Sequence, residues 1–439
     1  MKKTTRKPVE SAAPKKGLTR RDFTKSTAAV AAGTSLGIFG GVAPAFAQKR
    51  EVHHLAWNNF IAPADDLTRE NAAAFEKESG IAVRFETINQ NDLQARAAAA
   101  IEGGAGPDIL QLHWNHAHLY AGGLMDHSAI FELDGGDAVY SYQQEAVIVD
   151  GVPRGVPYYG IGNIMAYRTD VYSDLGIEVP DTWDQYLTAG TKAKAEGWPF
   201  GQTLGHTLGD APMFCYPLMW SFGGSEIDES GKVAINSAAT HRAIDFMKGA
   251  WEAIYEPGGL SWDDGSNNRS FLSGEICTTA NGASIYFVAR QKNMAHIADN
   301  MSHYLFPKGD AGRFCMSVPL SFCIPNYSKN QEAAMEWIRY QLRADNYEQY
   351  IAVQNCYGLP RAPGLEDHPV WNSDPAVSIY AQVPQYGRNF GWPGPFGRAA
   401  SEVQSKYIIV DMFARAVQGE SAQEAAAWAE KELKNVYGA

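Results

Sequence analysis

The chain has 439 residues, enough for two or three domain-sized cores at roughly 100–200 residues each. It is 45% hydrophobic and 20% charged, with 11 tryptophans and 21 tyrosines, a globular composition with aromatic surface suited to flat or ring-shaped ligands. A formal net charge of −12 argues against nucleic acid and anionic lipid as partners, because such a surface repels both.

Residues 1–47 read as a leader and not as part of the fold. A basic start is followed by a weakly apolar stretch of small and hydroxyl residues, and Ala45-Phe46-Ala47 is an A-x-A cleavage signal before Gln48. Within it, "TRRDFTK" (Thr19 to Lys25) resembles the twin-arginine export signal, with Thr24 where that signal usually carries leucine. So many small residues make a poor membrane span, which disfavours an uncleaved anchor. Removing the leader leaves 28 basic and 47 acidic residues, a net charge of −19. No cysteine lies near the cleavage point to take a lipid anchor, and no later apolar run is long enough to cross a bilayer. The expected location is the periplasm, as a free monomer.

From residue 50 strands and helices alternate. "EVHHLAW" reads as a strand, "DDLTRENAAAFEKESG" as a helix stopped by Gly80, and "IAVRFETI" as a strand of alternating apolar residues. "NDLQARAAAAIEGG" reads as a helix capped by Asn91, and "PDILQLH" as the next strand. This spacing predicts βαβ units with mostly parallel sheets, whose ligands bind beyond the carboxyl ends of the strands. Later helices start at "PDTWDQYL", where Thr182 and Gln185 form a capping box, and at "NSAATHRA". Others are "SKNQEAAMEWIRYQL", "SEVQSKYIIVDMFARAVQG" and a last one capped by Ser421 and Glu424. No linker separates sequential beads, so two lobes sharing crossovers fit better. The five cysteines, Cys215, Cys277, Cys315, Cys323 and Cys356, form no C-x-x-C pair and read as buried thiols, with Cys315 and Cys323 the one pair to test as a disulfide.

Several pieces in order carry a family resemblance: "GAGPDILQLHW", "GVPYYGIGNIMAYRTDVYSDLGIEVPDTWDQY", "PLMWSFGGSEIDESGKVAINSAATHRAIDFMKG", "FLSGEICTTANGASIYF" and "SVPLSFCIPNYSKNQEAAMEWIRYQ". Together they resemble the family-1 extracellular solute-binding proteins of ABC importers, the group that includes maltose-binding protein, over almost all of residues 50–439. One departure is Ser317-Val318-Pro319-Leu320, where the family often has a Gly-Gly pair. The resemblance implies a type II binding-protein fold: two α/β lobes joined by about three hinge segments, the first formed by 48–157 with 312–357, the second by 158–311 with 358–439. It also implies a small-molecule carbohydrate held between the lobes, hinge closure around it, delivery to an ABC-type membrane permease, and no cofactor.

The cleft candidates are loop residues at strand ends. After the first strand these are Trp57, Asn58 and Asn59; after the second, Asn89 and Gln90; after the third, His113, Trp114 and Asn115. The crossover adds Tyr158 and Tyr159, and the second lobe adds Trp220, Asn281, Ser284 and Tyr286. The last hinge and the following loop add Arg361, Arg388, Asn389 and Trp392. Aromatic rings suit the C–H faces of sugar rings, and amides, His and Arg suit the hydroxyl rim. A neutral mono- or oligosaccharide or polyol is the leading ligand. Convergence of Arg154, Arg361, Arg388 or Arg398 would instead select an anionic sugar derivative.

His116 and His118 read as surface residues, and adjacent His53 and His54 on a strand point to opposite faces, so a metal receptor is disfavoured. A redox enzyme is disfavoured by the absence of cluster-binding cysteine spacing and of a helix-opening glycine loop. No carboxylate pair stands out for a glycosidase.

Overall fold

In the computed structural model the described residues are 50–131, 138–364 and 367–438; the leader read at 1–47 lies outside them. Among the described residues the strands are β1 (Glu51–Trp57), β2 (Ala82–Ile88), β3 (Ile109–His113), β4 (Ile148–Val149), β5 (Val152–Pro153), β6 (Val156–Gly162) and β7 (Ile164–Arg168). They continue with β8 (Phe200–Gly201), β9 (Thr278–Asn281), β10 (Met301–Tyr304), β11 (Cys315–Cys323), β12 (Gly358–Leu359) and β13 (Gly387–Arg388).

Two sheets hold all of these strands except β4 and β5, which pair with each other as a separate antiparallel ribbon. The larger runs β12-β6-β11-β3-β1-β2, with β13 beside the start of β11; the smaller runs β10-β7-β9-β8. β2, β1 and β3 are parallel, as βαβ units require. The sheets as wholes are mixed rather than mostly parallel. β11 returns from the smaller sheet, so it enters the larger one antiparallel to both β3 and β6. β7 is antiparallel to β9 and β10. β6 continues through Tyr158 to Gly162, so the chain changes sheets at Asn163 and not at 157/158. β12 and β13 likewise pair within the larger sheet, although they fall in the 358–439 stretch expected in the second lobe.

Local sequence accounts for the helices that flank the sheets. Helix Ala62–Ser79 has Pro63 in its first turn and ends on Gly80 at φ 74, a left-handed position glycine adopts without a Cβ penalty. Thr182 with Gln185 and Ser421 with Glu424 form the two capping boxes. The cap of Gln90–Gly103 is Asn89, whose side chain accepts from the Asn91 N–H, two residues earlier than the sequence suggested. The stretch 401–419, read as one helix, is broken at Tyr407, which takes φ 56 and stacks on His206 with ring centroids 4.4 Å apart. Helices Arg398–Ser405 and Ile408–Val417 result.

All five cysteines are buried free thiols. Cys315 and Cys323 occupy the two ends of the nine-residue β11. At about 3.3 Å per residue they lie roughly 26 Å apart, beyond any disulfide.

Candidate functional site

The carboxyl ends of β1, β2, β3 and β9 face one another across a cleft, with the Asn163 crossing at its floor. Its inner part is a cavity of about 30 Å³. The larger sheet supplies Phe60, Gln90, His113, Ile161, Val318 and Tyr357 to its lining; the smaller supplies Asp210, Asp264, Asn281, Gly282 and Ser284. An outer hollow of about 370 Å³ shares Phe60, Gln90 and Asp264 with it and adds Asn58, Asn89, Asn91, Asp263 and Arg269. Of the sequence candidates, Asn58, Asn89, Gln90, His113, Asn281 and Ser284 are thus brought together at the cleft.

The aromatic side of the cleft is built in layers. Phe60, 37% exposed, stands edge-on to Trp57 and Tyr357 at centroid distances of 5.6 and 6.3 Å. Trp57 itself is buried behind it and donates its indole N–H to the Tyr159 hydroxyl at 3.1 Å. Asn59 is spent on local structure: its Oδ1 accepts from the Ile61 N–H at 2.8 Å. A Cβ on Gly282 would sit 2.8 Å from the Tyr357 ring, so only glycine lets β9 approach this wall.

The other side is polar. Asp264 anchors the turn 208–210: Oδ2 accepts from the Leu208 N–H at 3.1 Å, and Oδ1 from the Gly209 and Asp210 N–H groups at 3.2 and 2.8 Å. Gln90 reaches across from the larger sheet to donate to Asp264 Oδ2 at 2.9 Å. Asp210 accepts from Asn163 Nδ2 at 3.0 Å and Asn267 Nδ2 at 2.8 Å. Burial raises the affinity of both carboxylates for protons, and for Asp210 the charge of Asp264 adds to it. Asn281 and Ser284 complete this side, linked by a 3.1 Å bond from Ser284 Oγ to Asn281 Oδ1. The carboxylate pair is unlike a hydrolytic one, because the oxygens of Asp264 are occupied by four protein donors.

The "HWNHAH" histidines diverge. His113 lines the cavity, buried, with no partner for Nε2, and burial pushes its pKa down to about 3. His116 and His118 are buried and not on the surface: a short helix turns His116 Nε2 to Gln404 at 3.2 Å and His118 Nε2 to the Glu145 carbonyl at 2.8 Å. His53 pairs with Glu86 at 2.7 Å while His54 packs beside Phe322, on the opposite face of β1. Among the described residues no three His, Cys, Asp or Glu side chains converge as a metal-binding group.

The remaining candidates lie behind the cleft. Trp114 is buried at φ 53, its ring 4.5 Å from Phe390, and it donates its indole N–H to the Leu208 carbonyl at 3.1 Å, tying β3 to the Asp210 turn. Asn115 is buried at the start of helix His116–Tyr120, and Tyr158 packs on Phe322 and Tyr350. Trp220 and Trp392 pack on one another at 5.8 Å, Asn389 donates to the Tyr142 carbonyl, and Tyr286 to Asp374. The four arginines do not converge. Arg154, Arg361, Arg388 and Arg398 donate to the carbonyls of Leu124, Pro157, Gly387 and Leu119 respectively, and none lines either hollow. The four arginines therefore form no anion-binding pair at the cleft.

Phe60, Asn163, Asp210, Asp264 and Tyr357 are among the lining residues the sequence reading missed. The turn chemistry of "TLGDAP" and "WDDGSNN" was the available signal for the two acids.

The profile of the bacterial extracellular solute-binding protein family matches residues 62–348, and the chain belongs to that family of binding proteins, which are not enzymes. A probable ABC transporter-binding protein of Deinococcus radiodurans is 23% identical over 395 residues, 86% of this chain and 91% of its own. The diacetylchitobiose-binding protein DasA of Streptomyces coelicolor is 27% identical over 183 residues, 40% of this chain and 41% of its own. Among solved structures, the GacH receptor of Streptomyces glaucescens, studied unliganded and with acarbose, superposes with a TM-score of 0.77 at 19% identity, covering 89% of this chain and 99% of GacH. A sugar transporter protein of Arthrobacter chlorophenolicus with bound laminaribiose gives 0.75 at 16% identity, covering 88% and 98%. These likenesses establish the two-lobe binding-protein fold. Among the described residues no helix is long and apolar enough to cross a membrane.

Proposed function

We propose that this chain is the periplasmic receptor of an ABC importer, capturing a carbohydrate or polyol between its lobes and delivering it to a membrane permease. The observation that carries this reading is the cleft itself, with an aromatic wall of Phe60 and Tyr357 facing a wall of amides and carboxylates. Sugars present apolar C–H faces to the first and hydroxyl donors to the second. Each buried polar group left unpaired costs about 1–3 kcal/mol, which is the source of specificity. The candidates at the cleft, Asn58, Asn89, Gln90, His113, Asn281 and Ser284, together with Phe60, Asp210 and Tyr357, form the site in this reading. The relatives that hold acarbose, laminaribiose or diacetylchitobiose support the ligand class. Export by the twin-arginine route with cleavage after Ala47, a monomeric state, and hinge closure at crossings such as Asn163 belong to the same proposal.

A thermal-shift screen of the chain from Gln48 onward tests it. A neutral sugar, amino sugar or polyol present at 100 times its dissociation constant adds about 2.7 kcal/mol to stability. Stabilisation by sugar acids alone, or turnover of a bound sugar, overturns the reading.

A further inference from the structure

The inference rests on the sugar-receptor reading and narrows the guest within it. The inner cavity, at about 30 Å³, has room for a single functional group, whereas the outer hollow of about 370 Å³ has room for a ring. The ionisable groups that face the inner cavity are Asp210, Asp264, His113 and the Tyr357 phenol. No lysine or arginine lines it among the described residues. The one guanidinium at the outer hollow, Arg269, is paired at 2.9 Å with Asp263, which lines the same hollow, and bonds Ser266 at 2.8 Å.

Asp210 is buried with only two neutral amides on its oxygens, which leaves lone pairs toward the cavity. His113 adds a second, independent feature: the residue lines the same small space, and its buried Nε2 has no protein partner. Asp264 has four N–H donors to hold its charge, but Asp210, buried with two neutral amides, must hold a proton or meet a positive charge. A hydroxyl group brings one donor and no charge. An ammonium brings three donors and a full charge, and its bonds to a carboxylate are charge-assisted.

We propose that the guest's polar head is a protonated amine seated against Asp210 with His113 Nε2 as second acceptor, so that among sugars this receptor selects a free-amine amino sugar. On binding, the proton that burial holds on Asp210 leaves to solvent as the ammonium takes its place, and charge is conserved.

The test uses matched sets of mono- and disaccharides in three forms: free amine (D-glucosamine and its β-1,4 dimer), N-acetylated, and parent neutral sugar. Calorimetric titration at pH 7 is run in two buffers of different ionisation heat. The expected result is that at least one free amine binds about tenfold or more tightly than its N-acetyl and parent forms, with net proton release. Asp210→Asn is expected to erase that preference. The proton release is read on the unaltered protein, so it stands even if the variant misfolds. N-acetyl or parent sugars binding as tightly as the amines, or amine binding without proton release, overturns the proposal while leaving the sugar-receptor reading intact. If no form of any sugar binds, both fall.

Discussion

The two walls of the cleft are made differently. On the larger sheet, Phe60 and Tyr357 stand on a packed layer of Trp57 and Tyr159, and the only polar ring nitrogen presented is that of His113. On the smaller sheet, the facing groups are Asp210, Asp264, Asn281 and Ser284, held by hydrogen bonds from backbone and amides. One wall offers area and the other offers acceptors. In the proposed reading, affinity for a sugar draws on both, and discrimination between hydroxyl and amine rests on Asp210 of the second wall with His113 of the first.

The sharpest way to break this picture is at the tie between the walls. Trp114→Ala removes a buried indole and its bond to the Leu208 carbonyl; we expect a loss of about 3–5 kcal/mol in urea unfolding, together with loss of ligand binding. The full burial of Trp114 is what makes the stability cost large. A second test separates cleft acids from structural ones. Glu226 is buried away from the cleft, accepts from the Tyr216 and Tyr437 hydroxyls, and is pushed up to about 7 by burial, from an ordinary value of 4.5. Its raised pKa means that its favourable contribution is complete below pH 4.5 and is lost as pH rises through about 7. Glu226→Gln should therefore be more stable than the parent by about 2 kcal/mol at pH 8, a gap that closes by pH 4.5, with ligand affinity unchanged. A gap that widens on acidification contradicts the sign.

A smaller effect probes the aromatic wall. Phe60→Ala should weaken sugar binding by about 1 kcal/mol, near fivefold, and leave the unliganded melting point almost unmoved, because the ring is 37% exposed. Equal loss of binding and stability would mean the ring is core and not wall. The smallest effect expected is none. Thiol titration should find five groups after denaturation with or without reductant, and close to zero in the folded protein, because all five are buried and free.

Much of the fold was readable because it rests on local chemistry. Gly80 stops its helix, two capping boxes start theirs, and the β1, β2 and β3 runs pair in parallel as their spacing demands. The antiparallel entry of β11 was not readable, since it depends on where a distant segment returns. The break at Tyr407 was hidden too: nothing in "SKYIIV" departs from helical periodicity, and the left-handed turn is held by stacking on His206, about two hundred residues earlier.

The site was half legible for the same reason. Strand-end logic found Gln90, His113, Asn281 and Ser284, whose positions follow from adjacent strands. It could not find Asp210 and Asp264, which reach the cleft from irregular loops folded against one another. Aromatic content misled in the other direction. Trp114, Trp220 and Tyr158 sit beside turns in sequence, but their area is worth more buried than exposed, and they became packing.

The bond from the Trp114 indole to the Leu208 carbonyl carries one more consequence. In the proposed hinge motion, separation of the walls at this point breaks the bond and admits water to that ring. Tryptophan emission moves to longer wavelength on hydration, so Trp114 is an optical gauge of the proposed closure: with 11 tryptophans in the chain, the part of a rapid-mixing blue shift that Trp114→Phe removes should have the rate of the lobes coming together.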